Sequence, residues 1–193
     1  MAGTGREDRR MGLMARIGFW RKVGRVLNTT AGARMMAASR GLLNLSTRLL
    51  PGPRIDGPPP FVRPQKALPD CTVAVITTSG LHVEGDRPFD VDDPKGDPSF
   101  RTIPSDVDPG ALRIAHAHYT HRWWEQDREV LLPFERLREL EAAGVFRLAP
   151  RFFSFGFGGL RVREYIDPKG GTAHEVAARL REDGVDFALL VPA

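Results

Sequence analysis

The stretch TVAVITTSGLH, residues 72–82, decides the fold class of this chain. It begins with a short apolar run rich in β-branched residues, VAVI at 73–76, which predicts a strand buried on both faces. Polar residues follow directly, at the carboxyl end of the strand. Ligands bind at that end in open α/β sheets, so the first candidate binding residues are Thr78, Ser79, Gly80 and His82.

Three more segments of the body, residues 70–193, have the pattern of strands. LRIAHAHY at 112–119 alternates and predicts a second strand with Leu112, Ile114 and two histidines on one face. VFRLAP at 145–150 predicts a short third strand. The apolar run FALLV at 187–191 predicts a last buried strand.

Two helices are expected between these strands. PFERLRELEAAG at 133–144 predicts a helix that Pro133 opens and Gly144 ends. The pattern T-x-x-E at 172–175 is that of a capping box and predicts a second helix that stops at Gly184. Strands alternating with helices of this length predict an α/β fold, a layered, mostly parallel sheet with flanking helices on both faces.

The amino-terminal third differs from the body in charge. Residues 1–66 carry 13 Lys and Arg against 3 Asp and Glu, whereas residues 67–193 carry 15 against 21. Residues 1–50 place apolar residues at helical spacing between basic ones, which predicts a basic helical amino-terminal arm. Residues 51–69 hold seven prolines and predict an extended linker. The arm is suited to an acidic surface of its own body or a partner more than to a membrane, and no nucleic-acid-reading motif is present.

Cysteine usage indicates a reducing environment. The chain has one cysteine, Cys71, directly before the first strand, so an internal disulfide is impossible. A single thiol suits a cytoplasmic protein, and cytoplasmic localisation is therefore predicted. Cys71 is interpreted as a small buried apolar residue.

Three histidines lie within six residues: His116 and His118 on the second predicted strand and His121 just beyond its end. Imidazole exchanges protons near neutral pH and also ligates zinc, copper or iron. Substrate contact or proton transfer, a structural cluster and a metal site all remain open. No metal site is assigned, because three ligands from one strand end rarely complete a coordination sphere. His82 could converge on the same cleft.

Two other motifs give weaker signals. The acidic loop containing Asp90, Asp92, Asp93 and Asp97 suggests calcium, but Pro94 and Lys95 stand where a calcium loop needs a ligand and a glycine, so Asx and proline turns are favoured. FGFGG at 155–159 lacks the spacing of a phosphate-binding loop and is interpreted as a tight turn.

Taken in order, seven motifs resemble a known family: VAVITTSGLH, PFDVDDPKGDPSFRTIPSDVD, HAHYTH, LPFERLRELEAAGV, LAPRFFSF, TAHEVAARLREDGVD and LLVPA. They resemble the selenoprotein B family of glycine, sarcosine, betaine and D-proline reductases, from about residue 60 to residue 193, and the D-proline reductase-like branch in particular. The sequence departs from that family at Thr120, where an aspartate is common, and at Phe152, where a histidine is common.

The resemblance implies an oxidoreductase that cleaves a C–N bond of a small amino acid reductively. It implies a selenocysteine or cysteine nucleophile, a dithiol as electron donor and other reductase subunits as partners. The pocket for the amino acid is expected to include Thr78, Ser79, Gly80, His82, His116, His118, Tyr119 and His121.

The family's catalytic residue is expected beyond the last residue of this chain. Similar sequences continue after the equivalent of LLVPA into selenocysteine or cysteine, so the chain is predicted to be truncated just before it, with a UGA codon following Ala193. No catalytic residue is therefore assigned within the chain, and no cofactor other than that selenocysteine is expected. The alternative is a non-catalytic subunit or ligand-binding remnant of such a reductase.

Overall fold

A computed structural model describes residues 26–27, 29–39, 41, 44, 63–118, 121–167 and 169–192. Helix α1 (Thr30–Ala37) lies within the predicted amino-terminal arm. Most of residues 1–50 and all of residues 51–62 fall outside the described residues, so the division into arm, linker and body stays a prediction. In the described part of the chain, no helix is long and apolar enough to cross a membrane.

The body is built on a five-stranded mixed sheet with β1 (Thr72–Thr77) at its centre. Parallel to β1 run β7 (Phe187–Val191) on one side, and β5 (Arg147–Leu148) followed by β6 (Arg151–Phe155) on the other. The strand β3 (Phe100–Pro104) pairs antiparallel with β6 at the edge. This arrangement confirms the predicted α/β class with a mostly parallel sheet.

A separate two-stranded antiparallel sheet pairs β2 (Leu81–Val83) with β4 (Leu112–Ile114). The predicted second strand at 112–119 is therefore wrong in length and in position. The ladder ends at the pair formed by Leu81 and Ile114, because the preceding residue, Gly80, has a φ of +69° and turns the chain away. The histidines that follow consequently lie in a loop and not on a strand face.

Helices cover both faces of the sheet, as predicted. Besides the short α2 (Arg122–Gln126), the body has α3 (Phe134–Ala142) and α4 (Thr172–Glu182). Neighbouring side chains on β6 point to opposite faces. The ring of Phe134 packs on Phe152 at 5.5 Å between centroids, whereas Val176 of α4 belongs to a second cluster with Phe153 and Phe155.

The capping box predicted for α4 is wrong. Gly171 occupies the N-cap position, and no side chain caps this end. The Thr172 hydroxyl lies one residue inside the helix and donates to the Pro98 carbonyl at 2.9 Å, so it ties the helix to the loop before β3. Glu175 accepts instead from Arg179, one turn further along.

The last strand is not buried as expected. It forms an edge, pairing with β1 alone among the described strands. Leu189 is therefore 42% exposed and Leu190 is 68% exposed.

Candidate functional site

The carboxyl ends of β1 and β6 lie side by side, in register at Thr77 and Ser154, and bound the crevice position of the sheet. After β1 the chain turns to Leu81, which is in the same core cluster as Phe134 of α3. After β6 it runs to α4 on the opposite face, where Val176 packs. Neighbouring strands whose connections leave to opposite faces form the switch point at which α/β sheets bind ligands. The topology therefore places a candidate site here.

Three buried hydroxyl groups lie at this crevice. Thr77 is in register with Ser154 of β6, and the Thr77 hydroxyl donates to Ser79 Oγ at 2.9 Å. All three side chains are at most 1% exposed. The Ser154 Oγ atom has no hydrogen-bond partner among the described residues. An unpaired buried hydroxyl costs about 1–3 kcal/mol, so a polar ligand atom or a water molecule that reached Ser154 would be held there.

The sequence does not single out Thr77 or Ser154 as site residues. The available signal is a polar residue at the end of an apolar run, in VAVIT and in RFFSF. RFFSF runs directly into the glycine-rich turn, and the burial of its serine follows only once β6 is placed between β1 and β3.

The turn after β1 and the histidine segment meet through backbone contacts. Gly80 donates to the Phe155 carbonyl of β6 at 3.0 Å, and Ala115 donates to the Gly80 carbonyl at 3.0 Å. A Cβ on Gly80 would lie 2.3 Å from the Ala115 carbonyl oxygen, so only glycine fits this contact. Thr78 is exposed, and its backbone N–H donates to Val191 of β7 at 3.3 Å.

The histidines form a compact cluster around Phe157. The ring centroids of His118 and Phe157 are 4.2 Å apart, and those of His116 and Phe157 are 5.8 Å apart. The backbone N–H of His118 donates to His116 Nδ1 at 3.2 Å. His121 Nε2 lies 3.0 Å from the His116 carbonyl oxygen and donates to it. The first bond holds the His116 ring in place, and the second holds its backbone carbonyl.

Burial favours the neutral form of two histidines in this cluster, His116 and His118. The pKa of His116 is lowered to about 4, mainly by loss of hydration and in smaller part by the nearby His118 and His121 rings. Burial also lowers the pKa of His118. His116 is therefore uncharged at neutral pH, so it can donate or accept a hydrogen bond but does not carry a resident positive charge.

A small cavity shares Phe157 with the cluster. Its lining residues are Phe89, Asp90, Val91, Asp93, Gly96, Ala115, Ala117 and Phe157. The Asp90 carboxylate accepts from the backbone N–H groups of Asp92 and Asp93, which confirms the predicted Asx turns. His82 is 6% exposed, and its ring lies edge-on against Phe89 with centroids 6.4 Å apart.

One curated protein with a similar sequence is D-proline reductase subunit gamma from Acetoanaerobium sticklandii, 34% identical over 135 residues. The matched region is 69% of this chain and 53% of that subunit, so the chain spans about half of its relative's length. The similarity supports a D-proline reductase-related family. No family model matches the chain. No solved structure matches it either.

Most of the predicted binding residues lie around the crevice. Ser79 and Gly80 lie at its edge, and His116, His118 and His121 form the cluster beside it. Tyr119 lies outside the described residues. No set of three or more His, Cys, Asp or Glu side chains in the described ranges could hold a metal ion. The role of these residues in binding remains a prediction.

Proposed function

We propose that this chain is the substrate-binding part of an amino-acid reductase complex that cleaves a C–N bond of D-proline, glycine, sarcosine or betaine. The similarity to D-proline reductase subunit gamma is the observation that carries the proposal. The crevice at the carboxyl ends of β1 and β6 supplies a location of the kind in which α/β enzymes bind small molecules.

The proposed reaction consumes one dithiol for each bond that is broken. The C–N bond is replaced by one C–H and one N–H bond, which requires two electrons and two protons. The two electrons and the two protons come from the dithiol, which becomes a disulfide. A thiolate or selenolate nucleophile is suited to the first step because it is ionised and nucleophilic near neutral pH.

That nucleophile is not Cys71. The Cys71 side chain is fully buried, and it precedes β1, so it lies at the opposite end of the strand from the crevice. Because the 193 residues contain no other cysteine, the acting selenocysteine or cysteine comes from a continuation of the polypeptide or from a partner subunit. Other reductase subunits and a thiol electron donor are therefore the proposed partners.

A ligand-binding remnant without catalysis is the second candidate, and Phe152 favours it. Where similar sequences commonly have a histidine, this ring is fully buried and packs on Phe134. The coding sequence after residue 193 distinguishes the two candidates. An in-frame UGA followed by a cysteine-containing extension supports the reductase, whereas a UAA or UAG codon supports the remnant.

Calorimetry and a turnover assay test the proposal. We expect the purified chain to bind D-proline but not to reduce it with dithiothreitol alone, and to support reduction once the partner subunits are added. Calorimetric titrations that show no heat of binding with any of the four amino acids would contradict the binding role. Turnover by the chain alone that disappears in Cys71→Ser would contradict the placement of the nucleophile.

A further inference from the structure

Strand β7 carries an apolar stripe that the described part of the chain leaves partly open to solvent. Phe187, Leu189 and Val191 alternate along the strand and therefore share one face of the sheet. Phe187 and Val191 pack at the margin of the main core cluster, whereas Leu189 between them is 42% exposed. Strands of a parallel sheet are normally covered on both faces. We propose that the basic segment 11–27, most of which lies outside the described residues, packs as a helix on this face of β7.

The point at which the chain enters the body favours this occupant. Lys66 Nζ forms an ion pair with Asp186 Oδ1 at 2.9 Å, and Asp186 directly precedes β7. Asp186 also accepts from the backbone N–H of Thr72 at 2.9 Å, so it joins the end of the predicted linker to the starts of β1 and β7. The amino-terminal arm is thus tethered beside β7. A tethered segment has a high effective concentration at the surfaces near its attachment point.

Segment 11–27 has the sequence of a helix that needs such a surface. Ile17, Trp20, Val23 and Leu27 recur at spacings of three and four and predict an apolar stripe. Glycine at positions 12, 18 and 24 weakens an isolated helix, so tertiary packing has to stabilise it. A helix of this length is about 25 Å long, and a five-residue strand is about 17 Å long, so the helix can cover the whole stripe.

Charge complements the apolar contact. Segment 11–27 contains four basic residues and no acidic one, whereas residues 67–193 contain 15 basic and 21 acidic residues. Glu182, Asp183 and Asp186 lie in the segment that leads into β7, and the Glu182 side chain is 68% exposed. A second body would bring charge of the same sign to this face, which favours the arm as its occupant. The proposal leaves the backbone edge of β7 free, and it does not depend on the proposed reaction.

Disulfide trapping in the full chain tests the contact. Trp20→Cys is combined with Leu189→Cys or, as the matched control, with Leu190→Cys on the opposite face of the same strand. Cys71 stays in place because it is fully buried, and each new cysteine is also introduced alone to account for any reaction with Cys71. With oxidised glutathione, we expect the Leu189 pair to form an intramolecular disulfide at least about 10-fold faster than the Leu190 pair, at a rate independent of protein concentration.

Two results of the trapping experiment would overturn the proposal. Equal rates for the Leu189 and Leu190 pairs would show that the arm does not select this face of β7. Covalent dimers in place of the intramolecular bond, formed faster at higher protein concentration, would show that a second copy occupies the face.

The fluorescence of Trp20 gives an independent measurement without new cysteines. Leu189→Lys should release the arm and shift the tryptophan emission of the full chain to longer wavelength, whereas Leu190→Lys should not. In a Trp20→Phe background, where Trp123 and Trp124 remain, Leu189→Lys should leave the emission unchanged. Unchanged emission of Leu189→Lys in the presence of Trp20, or a shift that persists without Trp20, would contradict packing of the arm on β7. Far-UV circular dichroism of each variant checks that the body remains folded.

Discussion

His116 is a buried histidine whose environment favours the neutral form, and this makes folding depend on pH. Its pKa is about 4 in the folded chain, below the usual 6.5. Between these pH values the unfolded chain therefore binds more protons than the folded chain. The stability that the neutral ring contributes to folding is complete above pH 6.5 and is lost as the pH falls toward 4. The maximum effect is on the order of 3 kcal/mol.

Urea unfolding at pH 7 and at pH 4.5 measures this effect. We expect wild type to lose more stability on acidification than His116→Gln, which has no titratable group at that position. His174→Gln should behave like wild type because His174 is exposed. An equal pH dependence in wild type and His116→Gln would show that this residue does not titrate below its normal range.

Gly80 holds the contact between the β1 turn and the histidine segment. In Gly80→Ala the new Cβ would meet the Ala115 carbonyl, in addition to the cost of a positive φ. Gly144 has nearly the same φ, +72° against +69°, with nothing within 4 Å of the position that an alanine methyl group would take. We expect Gly144→Ala to lose about 1 kcal/mol and Gly80→Ala at least about 2 kcal/mol in the free energy of unfolding. Equal losses would show that the turn is not tightly packed.

At the scale of elements, the sequence predicted those with clear internal signals. The apolar run of β1 and the helices bounded by Pro133, Gly144 and Gly184 were found because burial and turn chemistry are local properties. The strands β2, β3 and β6 were missed. Each has five residues or fewer, and each adjoins or contains a glycine or proline, so its pairing partner determines its conformation more than its own residues do.

The same distinction applies to the candidate site. The histidines and the β1 turn could be singled out from residue type and position at a strand end. The switch point between β1 and β6 could not, because it depends on the faces to which α3 and α4 return. The buried Thr77 and Ser154 hydroxyls were missed for this reason.

The amino terminus of α4 gives a test at this scale. Because Thr172 bonds to the Pro98 carbonyl and Glu175 does not complete a capping box, the two residues should contribute unequally. We expect Thr172→Val to lose about 1 kcal/mol, the value of one hydrogen bond, and Glu175→Gln to lose less than about 0.5 kcal/mol. Thermal unfolding of both variants measures this. A larger loss of stability in Glu175→Gln than in Thr172→Val would indicate that the capping box forms.

For the whole molecule, the edge strand β7 is the feature most prone to association. Its exposed leucines are next to an edge that carries no charged residue within Phe187–Val191. Such edges pair readily with other chains. We expect Leu190→Lys to reduce self-association in sedimentation velocity without loss of folding. Ile166→Lys is the control, since Ile166 is 62% exposed but lies outside the sheet. Equal effects of both lysines would point to general solubility and not to the edge.

The predicted division into arm and body is also a property of the whole chain. Limited proteolysis is expected to cut within residues 51–69 and to leave the body intact, because a proline-rich linker predicted to be extended is accessible to a protease. Uniform resistance along the chain would contradict this division.

The position of Cys71 makes its thiol a reporter of local unfolding. Its sulfur is shielded from solvent and lies 3.3 Å from the Ala67 carbonyl, next to the start of β1. A thiol-reactive dye can therefore label the native chain only during excursions that uncover this end of the central strand. The labelling rate at increasing urea concentration distinguishes fraying of one end from opening of the entire sheet. A ligand bound at the other end of β1 should slow the dye only when the sheet opens as one unit.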